Sequence, residues 1–233
     1  MSWPQRVELP YFSDTLAQFS PWALKSWSAC LSSGNPQSCL GRYDIWVAAP
    51  WATVETWGTQ TYLRTATGVQ TLTTDPLAVL RHVLGVPEAL WPDLPFSGGA
   101  LGYWGYELAQ AWQPWLRFRH PVDRWPAMAV GLYDWAVVVD HAQARTWLVT
   151  QGRDPRTRQH WPHLLRTLRQ PPAASTLPLP QLEPPVPTWD WPTYQQAFGQ
   201  VQAHLQAGDC YQINLAQQFR ARFQGEIWPL FAQ

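Results

Sequence analysis

The stretch from Ala127 to Asp140 is a long apolar, β-branched run, interrupted only near Tyr133 and Asp134. Such a run suits strands covered on both faces, so it requires layers packed on either side of it. The interruption predicts two central strands or one bent strand. Thr146 to Thr150 then pairs with Ala136 to Asp140 across a turn at residues 141–144. A helix ending near Arg169 closes this unit.

The chain before this run supplies further hairpin-like elements. A short helical pattern at residues 11–19 leads into an expected strand from Pro21 to Ser28. The turn-rich residues Ser32 to Ser38 then return the chain as a second strand, Arg42 to Ala48. Two more short strands are predicted at Thr53 to Trp57 and Gln60 to Arg64, and Asp75 with Pro76 opens a helix through Leu77, Val79, Leu80 and Val83. Arg42 beside Tyr43 can bind a carboxylate and an aromatic ring, or pack as a rim arginine on its neighbour. Gly98, Gly99, Gly102 and Gly105 lie among aromatic residues and match neither GxGxxG nor GxxxxGK[ST]. They read as close packing of backbone against large rings and not as a phosphate loop. Because strands come in runs and do not alternate regularly with helices, the expected fold class is α+β, with antiparallel sheets packed face to face and helices outside.

Eight prolines fall among the 22 residues from Pro171 to Pro192, an extended, linker-like composition. The expected organisation is an N-terminal domain over residues 1–170, a Pro-rich linker over 171–189 and the start of a second domain over 190–233; a Pro-rich surface loop within one domain is the alternative. In the last part, Tyr194, Phe198, Val201 and Leu205 form the apolar stripe of a helix, with Asp190 as its cap, Pro192 in its first turn and Gly208 at its end. Tyr211, Ile213 and Leu215 then alternate with Gln212, Asn214, Ala216 and Gln218, the pattern of a strand with carboxamides on one face. That face is either a solvated amide ladder or a neutral surface for a polar ligand, and periodicity leaves both open. The pattern turns helical after Phe223, and with no partner strands for Tyr211 to Phe219 the chain is expected to be a fragment of a longer protein.

Lys plus Arg and Asp plus Glu number 16 each, so no net basic field favours nucleic acid or an anionic membrane. No run of 18 apolar residues is present, and the first residues lack a signal-peptide segment, which predicts a cytoplasmic protein. Cys30, Cys39 and Cys210 lack CxxC spacing, and the six histidines form neither HxH nor HExxH, so free thiols and no metal site within this segment are expected. The single lysine is Lys25; arginine carries the remaining positive charge.

Six segments in register resemble the family of aminodeoxychorismate synthase component I, which includes anthranilate synthase component I and the isochorismate and salicylate synthases. They are Pro21 to Leu24, Arg42 to Ile45, Thr73 to Leu77, Phe96 to Gly102, Met128 to Ala136 and Gly208 to Phe219. Asn214 and Ala216 are similar to the aminodeoxychorismate branch, where anthranilate synthases usually carry an aliphatic residue and Ser. Gln218 departs from the Arg common in the family.

The resemblance implies replacement of the chorismate 4-hydroxyl by ammonia, Mg²⁺ dependence, and a separate glutaminase subunit as the ammonia source. It also implies a bound L-tryptophan in the N-terminal part, at positions matching Ser28, Leu40, Gly41, Arg42 and Tyr43, and a place beside the chorismate site for Asn214. The family's Lys nucleophile, Glu acid/base and Glu ligands for Mg²⁺ all correspond to positions beyond Gln233. No catalytic residue is therefore expected in this chain, which should bind at best and not turn over. Anthranilate synthase component I and a non-catalytic tryptophan-binding module are the alternatives.

Overall fold

The structure is a computed structural model that describes residues 3–34, 41–86, 91–113, 115–116, 125–172 and 177–232. The chain divides into two compact units, Met1–Ala174 and Ser175–Gln233.

The first unit runs β1 (Gln5–Leu9), α1 (Thr15–Ala23), β2 (Ala29–Leu31), β3 (Tyr43–Val47), β4 (Ala52–Trp57), β5 (Gln60–Thr65), β6 (Gly68–Leu72), α2 (Pro76–Leu84), β7 (Gly99–Trp104), a 3₁₀ turn (Tyr106–Ala111), β8 (Met128–Tyr133), β9 (Trp135–Asp140), β10 (Arg145–Thr150) and α3 (Pro155–Leu168). Two five-stranded sheets result, ordered β1-β10-β9-β3-β2 and β6-β5-β4-β8-β7. Every pairing within them is antiparallel. The long apolar run is thus two strands, β8 and β9, in different sheets, separated by Asp134. The β9–β10 hairpin has the expected partners, with Thr146 opposite Val139 and Thr150 opposite Trp135.

Alternation along the strands sorts the core into layers. Val47, Ala136 and Val149 of the first sheet share a cluster with Tyr133 of the second, and Leu101 packs against it. The opposite face of the second sheet presents Val54, Leu63, Met128, Val130 and Leu132 to Val79 and Leu80 of α2. On the outer face of the first sheet, Trp46 meets Phe19 and Trp22 of α1 and Trp135 of β9, with ring centroids 5.6–5.8 Å apart. Among the glycines expected to serve packing, Gly102 lies opposite Val130, where a Cβ would collide with the carbonyl oxygen of Ala129.

The region from Pro21 to Ser28 is not a strand. Helix α1 continues through Pro21 to Ala23, and the strand begins only at Ala29. Thr15, Gln18, Phe19 and Trp22 fall on one helical face, and anchoring Phe19 and Trp22 on Trp46 outweighs the hydrogen bond that Pro21 cannot donate. Strand β6 was also absent from the sequence expectation; it is an edge strand with little buried surface to impose a pattern.

In the second unit, β11 (Gln181–Leu182) pairs with β14 (Phe223–Gln224), and β12 (Val186–Pro187) pairs with β13 (Phe219–Arg220). Part of the Pro-rich segment therefore forms one side of an interrupted ribbon. Helix α4 (Trp191–Ala207) has the predicted ends: Asp190 accepts from the Thr193 amide at 3.0 Å, and Gly208 is left-handed at φ 77°. No residue of α4 is buried. Residues 211–218 form neither helix nor strand, and Tyr211 is fully exposed, so the expected strand with a core-facing side is absent. An alternating sequence becomes a strand only where a neighbouring backbone shares its hydrogen bonds, and among the described residues that begins only at Gln218, whose carbonyl accepts from the Thr188 amide at 2.8 Å. The expected helical continuation after Phe223 is reduced to α5 (Trp228–Phe231), because Phe223 and Gln224 are used in β14.

Candidate functional site

Strand β3 delivers Arg42 and Tyr43 to the end of the first sheet, where Tyr43 lies opposite Asp140. The Arg42 guanidinium grips the Asp140 carboxylate through Nη2 at 2.9 Å and Nε at 3.2 Å, and stacks 4.6 Å from the Tyr43 ring centre. Asp140 also accepts from the amides of Ala142 and Gln143, closing the β9–β10 turn. Burial raises the Asp140 pKa, but the bonds from Arg42 and these amides outweigh it and hold the carboxyl below its ordinary value. The same hydrogen bond raises the pKa of Arg42. Arg42 is therefore a committed cation with its charge matched inside the chain.

The other tryptophan-site positions are placed differently. Gly41 is buried immediately before β3. Ser28 precedes β2, whose Ala29 faces Val47, so Ser28 lies at the opposite end of the β2–β3 ladder from Arg42 and Tyr43. Its hydroxyl oxygen is buried without a hydrogen-bond partner among the described residues. Leu40 lies outside the described residues.

Next to this rim is a buried polar group that the sequence did not announce. His141 Nε2 is 3.0 Å from Asp44 Oδ2, and His141 Nδ1 is 3.1 Å from the Tyr11 hydroxyl. Ser33 donates its amide to Asp44 at 3.0 Å. These partners are as many as 130 residues apart in sequence. Only an isolated Asp at a strand position hinted at them.

In the second unit the amide row is split. Gln212 Nε2 donates to Asn214 Oδ1 at 3.3 Å, and both residues are exposed. Gln217 turns away, accepting from the Trp189 amide and donating to its carbonyl at 2.9 Å. Gln218 accepts from Arg220 Nε at 3.2 Å. Asn214 thus presents a neutral amide, supported by Gln212, with no further partner among the described residues. Such a group can hydrogen-bond a hydroxyl or carboxylate but cannot act as an acid, base or nucleophile at neutral pH.

No cluster of three or more His, Cys, Asp or Glu side chains able to hold a metal occurs among the described residues. They do not fit an Mg²⁺ site. Cys30 and Cys210 are free thiols. No described helix is long and apolar enough to cross a membrane.

Residues 30–233 match the family described as chorismate binding enzyme. The chain is 37% identical to aminodeoxychorismate synthase component 1 of Klebsiella aerogenes, across 99% of this chain and 50% of that protein. It is also 37% identical to the protein of that name from Escherichia coli (strain K12), across 92% of this chain and 47% of that one. Anthranilate synthase component 1 of Streptomyces coelicolor is 32% identical across 61% of this chain. Among solved structures, anthranilate synthase component I from Streptococcus pneumoniae TIGR4 superposes with a TM-score of 0.65 at 21% identity, covering 84% of this chain and 45% of that one. This likeness agrees with the expected fold of antiparallel sheets and outer helices. The chain spans about half the length of the curated relatives it matches. With its fold and most of its length accounted for in this way, the chain belongs to the chorismate binding enzyme family.

Proposed function

We propose that this chain is the N-terminal part of an aminodeoxychorismate synthase component I. The full enzyme would be a transferase that converts chorismate and ammonia to 4-amino-4-deoxychorismate, for p-aminobenzoate and folate synthesis, with ammonia from a glutaminase subunit. The observation that carries this reading is 37% identity to proteins of that name across nearly the whole chain, against 32% across 61% for an anthranilate synthase. Asn214 beside Ala216 favours the same branch.

In this reading the chain supplies scaffold and a substrate-bordering amide. Asn214 orients chorismate, while the nucleophile, the acid/base and the groups that hold Mg²⁺ belong to the remainder of the enzyme. A cytoplasmic setting accords with these roles. Chorismate, ammonia and Mg²⁺ given to this 233-residue chain alone should yield no aminated product; the protein extended by the missing half should yield 4-amino-4-deoxychorismate. Anthranilate from the extended protein would place it in the other branch, and turnover by the chain alone would end the scaffold reading.

Tryptophan binding at Ser28, Leu40, Gly41, Arg42 and Tyr43 belongs to the same proposal. Its support is the Ser28 hydroxyl, buried and without a hydrogen-bond partner among the described residues. Calorimetric titration of L-tryptophan into the chain and into Ser28→Ala tests it; equal heats from both would remove Ser28 from the site.

A further inference from the structure

A cleft of about 350 Å³ opens on the outer side of the first sheet, between the end of α1 and α3 as far as Leu164. None of its walls comes from the expected tryptophan-site positions. Trp22 and Trp135 form an indole corner, with ring centroids 5.6 Å apart at 68°, and Leu164 extends the apolar wall. The polar rim consists of Lys25, Asp154, Arg156, His160 and His163.

Most of the rim charge is already matched by hydrogen bonds within the rim. The Asp154 carboxylate accepts from the Arg156 amide at 3.0 Å and from Arg156 Nε at 3.0 and 3.2 Å, so this acid and this guanidinium neutralise each other. His160 Nδ1 lies 2.8 Å from the Arg156 carbonyl and donates to it, which leaves Nε2 as the unused nitrogen. Lys25, the single lysine of the chain, sits 3.8 Å from the Trp22 ring centre and forms no ion pair among the described residues. His163 has no hydrogen-bond partner among them. Among the described residues the cleft therefore offers one unmatched cation and two imidazoles beside two indoles, and no uncommitted carboxylate.

We propose that this cleft binds a small planar carboxylate, its ring against Trp22 and Trp135 and its carboxylate against Lys25 and the imidazoles. The volume is near the lower end of the roughly 300–1,000 Å³ typical of small-molecule sites, enough for a single substituted ring. An ammonium already held over an indole remains free to meet an anion at its other face. A neutral ring would leave Lys25 unmatched, and an inorganic anion would leave the indoles unused.

Fluorine NMR with 4-fluorobenzoate on the whole chain tests the assignment. Saturable binding is expected with a dissociation constant of about 1 mM or tighter. Lys25→Met and His163→Ala each replace an exposed side chain. The lysine variant should weaken binding about tenfold or more, as should exchanging the probe for neutral 4-fluorobenzamide. Circular dichroism and melting temperature verify that the variants remain folded. No saturable binding by about 10 mM probe, affinity unchanged in both variants, or equal displacement by inorganic phosphate would each overturn the proposal.

Discussion

His141 Nε2 lies 3.0 Å from Asp44 Oδ2, and both side chains are almost wholly buried. Burial raises the Asp44 pKa, but hydrogen bonds from His141 and Ser33 prevail and keep the carboxyl below its ordinary value. The folded state thus binds this proton more weakly than the unfolded chain does. Its contribution to stability is complete above the unfolded pKa of about 3.9 and is lost as pH falls through the lower folded value. Asp44→Asn should cost about 1–3 kcal/mol at pH 7 and flatten the acid limb of the stability curve below about pH 4. Urea unfolding across pH measures both effects, and superimposable curves for the two proteins would count against the assignment.

Asp134 sits between the two central strands and fastens the loop that begins α3. Its carboxylate accepts from the amides of Arg153 at 2.9 Å and Asp154 at 3.2 Å. Asp134→Ala would leave these amides without a partner in a part-buried site, at a cost of about 2–4 kcal/mol. A shift in the urea midpoint at unchanged slope should record the loss. An unaltered midpoint would show that water replaces the carboxylate at no cost.

Gly102 faces the β8 backbone with no room for a methyl group. Gly102→Ala should push β7 from its neighbour and destabilise the chain by about 1–3 kcal/mol, as overpacking does. Thermal unfolding is the measurement, with a lowered midpoint expected. A midpoint equal to that of the parent would mean that β7 shifts freely.

Burial pushes the Cys30 thiol up to about 12, and nearby Asp44 adds to the effect. Since the thiolate is the reactive species, Cys30 should resist iodoacetamide at pH 8 in the folded chain and react after denaturation. Peptide mapping by mass spectrometry distinguishes it from the other cysteines. Rapid native-state labelling of Cys30 would contradict the burial.

The irregular segment around Asn214 predicts contrasting hydrogen exchange. Amides of residues 211–216 should exchange far faster than those of β9 and β10, whose bonds lie within a five-stranded sheet. Exchange followed by mass spectrometry would expose the opposite case, protection across 211–216.

The sequence by itself determined what depends on neighbours along the chain. Asp75 and Pro76 open α2, and Asp190 with Gly208 brackets α4, because a cap needs only an oxygen near the first free amides and a left-handed residue at the end. The β9–β10 hairpin was legible for the same reason. So was the family, since its signature is segments in order and needs no contacts. The tertiary structure decided what depends on distant partners. It carried α1 through Pro21 on the strength of Trp46, assigned β8 and β9 to separate sheets, and joined Arg42 to Asp140 across 98 positions. It also gathered Lys25, Trp22, Trp135 and two histidines around one cleft. At 211–218 it withheld the strand that the alternation had promised, because a pattern states which side chains could share a face, while a strand also needs a second backbone to bond.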